Sequence, residues 1–180
     1  MITFAELKEL HGGSREQHLF EFLSTVLEPS PPLKTLLVPQ LSRDLTGSSY
    51  IECLDAARDI VDAWNVEDKA IFVNSHPRIG QVSGLSALSA AEQAAKRTPE
   101  DVLQRLSELN QAYEEKYPKL RFITFVNGRT RAEIIPELDH LLSLADGIQE
   151  FGSEAWKKEL QRDLEAIWLI AKARTQAGNF

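Results

Sequence analysis

The 180-residue chain carries 27 acidic against 20 basic side chains, a formal charge of −7, and is 43% hydrophobic with a mean hydropathy of −0.26. That length buries a core without metal or disulfide staples, and Cys53, the lone cysteine, excludes an internal disulfide and favours a reducing compartment. The acidic balance, with no clustered basic patch, argues against nucleic acid or an anionic membrane as partner.

In chain order, "MITFAELKELHGG" has no basic start, long apolar core or small-residue cleavage site, so it does not read as a secretion signal. "SREQHLFEFLSTVLE" sets Leu19, Phe20, Phe22, Leu23, Val26 and Leu27 on one helical stripe, and "PSPP" stops it. "SSYIECLDAARDIVDAWN" repeats the pattern with Ile51, Leu54, Ala57, Ile60, Val61 and Trp64, and leaves Cys53 as a small core residue inside a helix. The apolar run "AIFV" then meets "NSHPRIG", and "GQVSGLSALS" reads as a connecting loop. "TPEDVLQRLSELNQAYEEKYP" offers a cap at Thr98, a proline at the first helical position and acids in the first turn.

"RFITFVNG" breaks the helical pattern. It is β-branched and aromatic, too short for a helix, and ends in the turn pair Asn-Gly; it is one extended strand or a buried non-helical segment. "TRAEIIPELDHLLSL" opens with Thr130 and Glu133 at capping-box spacing, and Pro136 is tolerable only near that first turn. "SEAWKKELQRDLEAIWLIAKARTQ" is the longest helix, ending near Gly178. No run approaches about 18 apolar residues, and the closing "AGNF" is not a Ser-Lys-Leu peroxisomal address. The cytoplasm is therefore the expected compartment, with the peroxisome as the alternative if the end is processed. Together these stretches predict an all-α fold: one multi-helix domain over residues 1–180, with an extended irregular segment near residues 121–128.

Two motifs carry candidate chemistry. His76 is followed by Pro77, which fixes the chain just after the ring, and by Gly80, which lets the backbone turn away. A histidine held in that way can carry a proton near neutral pH; the alternative is a helix-end residue that satisfies the last carbonyls. In "SAAEQ", Ser89 and Glu92 have capping-box spacing, while the helix start also presents free N–H groups, a hydroxyl, a carboxylate and the Gln93 amide to a small polar ligand. His11, His18 and His140 read as helix-surface or loop residues, and Trp64, Trp156 and Trp168 as packing groups. No metal-ligand spacing, nucleotide loop or nucleophile elbow appears, so neither a metal nor a cofactor is expected.

"SHPRIG", "SAAEQ", "RFITFVNGRTRAEIIPEL" and a terminal helix with "IAKAR", in this order, resemble 2-oxo-4-hydroxy-4-carboxy-5-ureidoimidazoline (OHCU) decarboxylases, which complete the oxidation of urate to (S)-allantoin. The resemblance runs from about Phe20 to Arg174, and "LEPSPPL" is similar to the segment that closes the family's early helix. It implies an all-helical, cofactor-independent carboxy-lyase and homodimer acting on a small molecule. His76 and Glu92 would be catalytic. Pro77, Ser89, Gln93, the segment Ile123, Thr124, Phe125 and Val126, and Arg174 would bind substrate. The segment's free backbone groups would face a flat polar ring. Many members read His-Pro-Asp-Leu where this chain has His76-Pro77-Arg78-Ile79, which leaves a role for Arg78 open. Two other readings remain beside this one: a helical binding module in which His-Pro is a stop and Ser-x-x-Glu a cap, and a lyase acting on a related ureido compound.

Overall fold

Helical periodicity becomes helix along most of the chain in the computed structural model, which describes residues 2–81, 98–144 and 146–178. Among these residues there is no strand, and the fold is all-α. The chain divides into two compact units: residues up to Ser75 together with those from Ile167, and His76–Ala166.

The first unit begins with α1 (Phe4–Glu9), closed by a capping box in which Thr3 accepts from the Glu6 N–H and the Glu6 carboxylate accepts from the Thr3 N–H at 2.7 Å. In α2 (Gly12–Leu27) most of the predicted stripe is realised: Leu19, Phe22, Leu23, Val26 and Leu27 are buried, while Phe20 is half-buried with Lys34 Nζ 5.6 Å from its ring centroid. "PSPP" does end α2, at Glu28 with φ 63°, but it also starts the next element. Proline has no N–H to lose at a helix start, and the Ser30 hydroxyl accepts from the Leu33 N–H. A π-helical stretch (Leu33–Leu37) follows and runs into α3 (Val38–Arg43). Side-chain caps from Ser49 and Asn65 open α4 (Tyr50–Asp62) and α5 (Val66–Asn74). Phe22 packs on Tyr50 at 4.5 Å between ring centroids, and Phe72 on Trp168 at 6.2 Å. Cys53 is fully buried among these groups, and burial pushes its thiol up to about 12, which keeps it protonated and inert.

The second unit holds α6 (Glu100–Lys116), α7 (Arg131–Ser143) and residues 154–166 of α8 (Glu154–Ala177), the remainder of α8 belonging to the first unit. Its core gathers Leu106, Leu109, Tyr113, Phe122, Ile134, Leu138, Trp156 and Leu164. The Trp156 indole donates to the Pro118 carbonyl at 2.8 Å.

Two local expectations change here. Pro99, not Thr98, occupies the cap position of α6, because the Thr98 hydroxyl is turned to accept from Arg131 Nη1 at 2.6 Å. The Thr130–Glu133 capping box forms as expected, yet Pro136 lies in the second turn of α7, where its missing N–H removes the bond to the Ala132 carbonyl.

Residues 121–126 have no regular secondary structure. Asn127 (φ 47°) and Gly128 (φ 79°) form the turn their sequence announces, closed by the Arg129 N–H to the Val126 carbonyl at 3.0 Å. The extended chain pairs with side chains instead of a second strand.

Candidate active site

Of the four histidines only His76 is buried, at 3% exposure. The last turn of α5 is capped one residue earlier: Ser75 donates to the Phe72 carbonyl through both its N–H (3.3 Å) and its hydroxyl (2.6 Å). The carbonyl of His76 accepts from Arg121 Nη1. After Pro77 the chain folds into a tight turn, with the Gln81 N–H on the Arg78 carbonyl at 3.1 Å. Gly80 makes this possible in two ways. Its φ of +86° is open to glycine at little cost, and a Cβ there would stand 3.3 Å from Leu106 Cδ1.

Three contacts fasten this turn to α6: Gly80 lies against Leu106, Asn110 Nδ2 donates to the Ile79 carbonyl at 3.0 Å, and Arg78 grips Glu114 with two bonds of 2.5 Å. Arg78 thus has a place. Its fork is committed to Glu114, which raises its pKa, and Glu114 also stands 4.0 Å from Arg121 Nε. A hollow of about 420 Å³ lies on the same face of α6, lined by Arg78, Ser107, Asn110, Gln111, Glu114 and Glu115. His76 is not part of its lining.

The segment that begins at Arg121 is anchored along its length. The Ile123 N–H donates to Asp163 Oδ1 at 2.9 Å, and the Ile123 carbonyl accepts from Arg162 Nη1 at 2.8 Å. The Phe125 carbonyl accepts from Arg129 Nη2 at 2.7 Å and the Val126 carbonyl from Arg129 Nε at 3.0 Å. The Thr124 hydroxyl donates to Glu137 Oε1 at 2.9 Å, and Arg129 completes the set with Glu137 Oε2 at 2.7 Å. The carbonyls of Ile123, Phe125 and Val126 are therefore already engaged by arginines. Val126 already accepts twice, from the Arg129 N–H and from Arg129 Nε, so a ligand would use the second lone pair of Ile123 or Phe125 or other groups of the segment.

Arg121 ties the start of the segment to the His76 carbonyl, and His76, Pro77 and Ile123–Val126 all belong to the second unit. Burial lowers the Arg121 pKa, with Glu114 opposing that shift. Arg174 belongs to the first unit, 8% exposed, with Nη1 3.1 Å from Glu28 Oε1 and 3.2 Å from the Val26 carbonyl. Ser89, Glu92 and Gln93 lie outside the described residues.

Sequence reading missed Arg121 and the buried group of Tyr113, Glu159, Arg162 and Asp163. A signal existed in α8. Trp156, Glu159, Leu160, Asp163, Leu164 and Ile167 follow helical spacing and are all buried, so two acids stand inside an apolar stripe.

These features define an all-α protein with one buried histidine on a proline-fixed turn, anchored to a non-helical wall. The chain belongs to the OHCU decarboxylase family, whose profile matches residues 14–176. Among curated proteins no relative matches. A crystal structure of (S)-allantoin synthase is similar, with a TM-score of 0.65 and 19% identity, over 98% of this chain and 54% of that one. The chain thus spans about half the length of that protein, and the likeness is one of fold. No helix among the described residues is long and apolar enough to cross a membrane.

Proposed function

We propose that the protein decarboxylates OHCU to (S)-allantoin in urate degradation, with residues 1–180 acting as one catalytic domain that needs no cofactor. The observation that carries this reading is His76, buried on its Pro77 turn in a chain that belongs to this family. The substrate's carboxylate sits on a carbon next to a ring C=N. As carbon dioxide leaves, the electron pair of the breaking C–C bond flows into that imine, so the substrate supplies its own electron sink. Orientation, charge stabilisation and delivery of a proton to one face of the ring remain for the protein.

His76 moves protons between the ring hydroxyl and the developing enol. Glu92 sets its protonation or holds the ureido group, Ser89 and Gln93 bind the substrate, and Pro77 and Ile123–Val126 form a wall against the ring. Arg174 would anchor a carboxylate or carbonyl with its donor fork. Its pairing with buried Glu28 favours a second reading of that residue alone, as a structural ion pair.

The test generates the unstable substrate in place from urate with the upstream enzymes and follows optical activity. Protein treated with a strong chelator and desalted should form dextrorotatory allantoin faster than the spontaneous reaction does. No acceleration would leave a binding module, turnover of a different ureido compound would mark a related lyase, and rescue by added metal would make His76 or Glu92 a ligand.

The cytoplasm is the compartment that suits the lone free thiol of Cys53. A homodimer is also part of the proposal, symmetric pairs being the commonest soluble oligomers. Light scattering should give twice the 20.2 kDa chain mass. A single-chain mass across a broad concentration range would end that expectation.

A further inference from the structure

We propose that Tyr113, Glu159, Arg162 and Asp163 form a positioning cluster that holds one shared proton and, through it, fixes the Ile123 peptide in the wall of the site. The Tyr113 hydroxyl lies 2.8 Å from Glu159 Oε1 and 2.9 Å from Asp163 Oδ2. A hydroxyl has a single proton to donate. Two carboxylates that both accept would need two, so the second short contact carries a proton on a carboxyl.

The charges give the same count. Arg162 bonds Glu159 Oε1 through Nε at 2.7 Å and Asp163 Oδ1 through Nη2 at 2.5 Å. One guanidinium against two ionised carboxylates would leave a net negative charge beside a side chain of 0% exposure, and one added proton neutralises the group. Asp163 is the seat of that proton. Burial pushes its carboxyl up to about 8, with Arg162 opposing the shift and Glu159 adding to it. Tyr113 stays protonated, since burial first and then the charges of Asp163 and Glu159 raise its hydroxyl well above the ordinary value. The groups facing Asp163 are thus Tyr113 from α6, Glu159 and Arg162 from α8, and the Ile123 N–H from the wall, with Tyr117 more weakly coupled to the same charges.

The cluster reaches the site by two hands on one residue: Asp163 takes the Ile123 N–H and Arg162 the Ile123 carbonyl. Loss of the shared proton sets two buried carboxylates against each other, and the arrangement that aims both hands is disturbed. The consequence for turnover rests on the decarboxylase reading; the proton and the anchoring do not.

The sign of the linkage separates this proposal from a plain ion pair. An aspartic acid with a raised folded pKa contributes stability that is present below its ordinary value of 3.8 and lost as pH rises through about 8. Asp163→Asn mimics the protonated acid: its Oδ1 still accepts from Ile123, and its amide donates to Tyr113. Measured at about pH 5 and about pH 9, the Tm of Asp163→Asn should rise relative to wild type at the higher pH. A Tm that falls further behind wild type at high pH would mean an ionised Asp163 and would overturn the shared proton. Amide exchange at Ile123 should stay protected in Asp163→Asn and lose protection in Asp163→Leu; equal protection in both would overturn the anchoring. In the urate-coupled assay, the apparent KM of wild type should climb above about pH 8 while that of Asp163→Asn stays level, with kcat little changed; parallel profiles would remove the positioning role. If wild type itself makes no allantoin, the decarboxylase reading fails, and the Tm and exchange measurements still decide the cluster.

Discussion

His76→Asn should lose most of its turnover, by about 10²–10⁴-fold, because positioned proton transfer contributes that much. Its Tm and helical circular dichroism should change little. Asparagine fits the space of the ring, and one bond that fixes this position, from Arg121, goes to the His76 backbone carbonyl, which the substitution leaves in place. Turnover and Tm measured on the same preparation give the answer. Full activity in the variant would remove His76 from the mechanism, and a large loss of Tm with turnover per folded molecule intact would make it a packing residue.

Arg174→Met should cost about 3–5 kcal/mol of stability, because it strands Glu28 without its guanidinium in a place where both side chains are nearly inaccessible. Chemical denaturation measures that loss. The double variant Glu28→Gln/Arg174→Met then separates two roles. Removing the stranded charge should restore much of the stability whatever Arg174 does for the substrate. Turnover that stays low in the stabilised double variant assigns Arg174 to the substrate, while turnover that returns with stability makes it a strut between the end of α2 and the last helix of its own unit.

The sequence made some elements legible because their signals are local. The α2 stripe, the Thr130–Glu133 box and the Asn127–Gly128 turn each need only residues within a few positions of one another, and each formed as read, apart from a half-buried Phe20 in the stripe. Where a local signal met a distant partner, the partner prevailed. Thr98 has the right chemistry for a cap, but Arg131, 33 positions away, takes its hydroxyl. "RFITFVNG" has the residues of a strand, but a strand needs a neighbour to complete its hydrogen bonds, and here Asp163, Arg162 and Arg129 complete them instead.

The same division runs through the site. Sequence alone determined that His76 would sit at a proline-fixed turn, that Gly80 would be needed to bend away from it, and, by resemblance, which family the motifs belong to. It gave no hint that Arg78 would be spent on Glu114, because that pair joins residues 36 apart. Nor did it reveal Arg121 on the His76 carbonyl or the proton shared beneath Ile123. Those depend on which faces of α6 and α8 meet the extended segment, and on burial that turns an ordinary aspartate into an acid titrating near 8. Hydrophobic spacing and turn chemistry are written in consecutive residues; charge, desolvation and the count of available protons are set only when distant residues are brought within bonding distance.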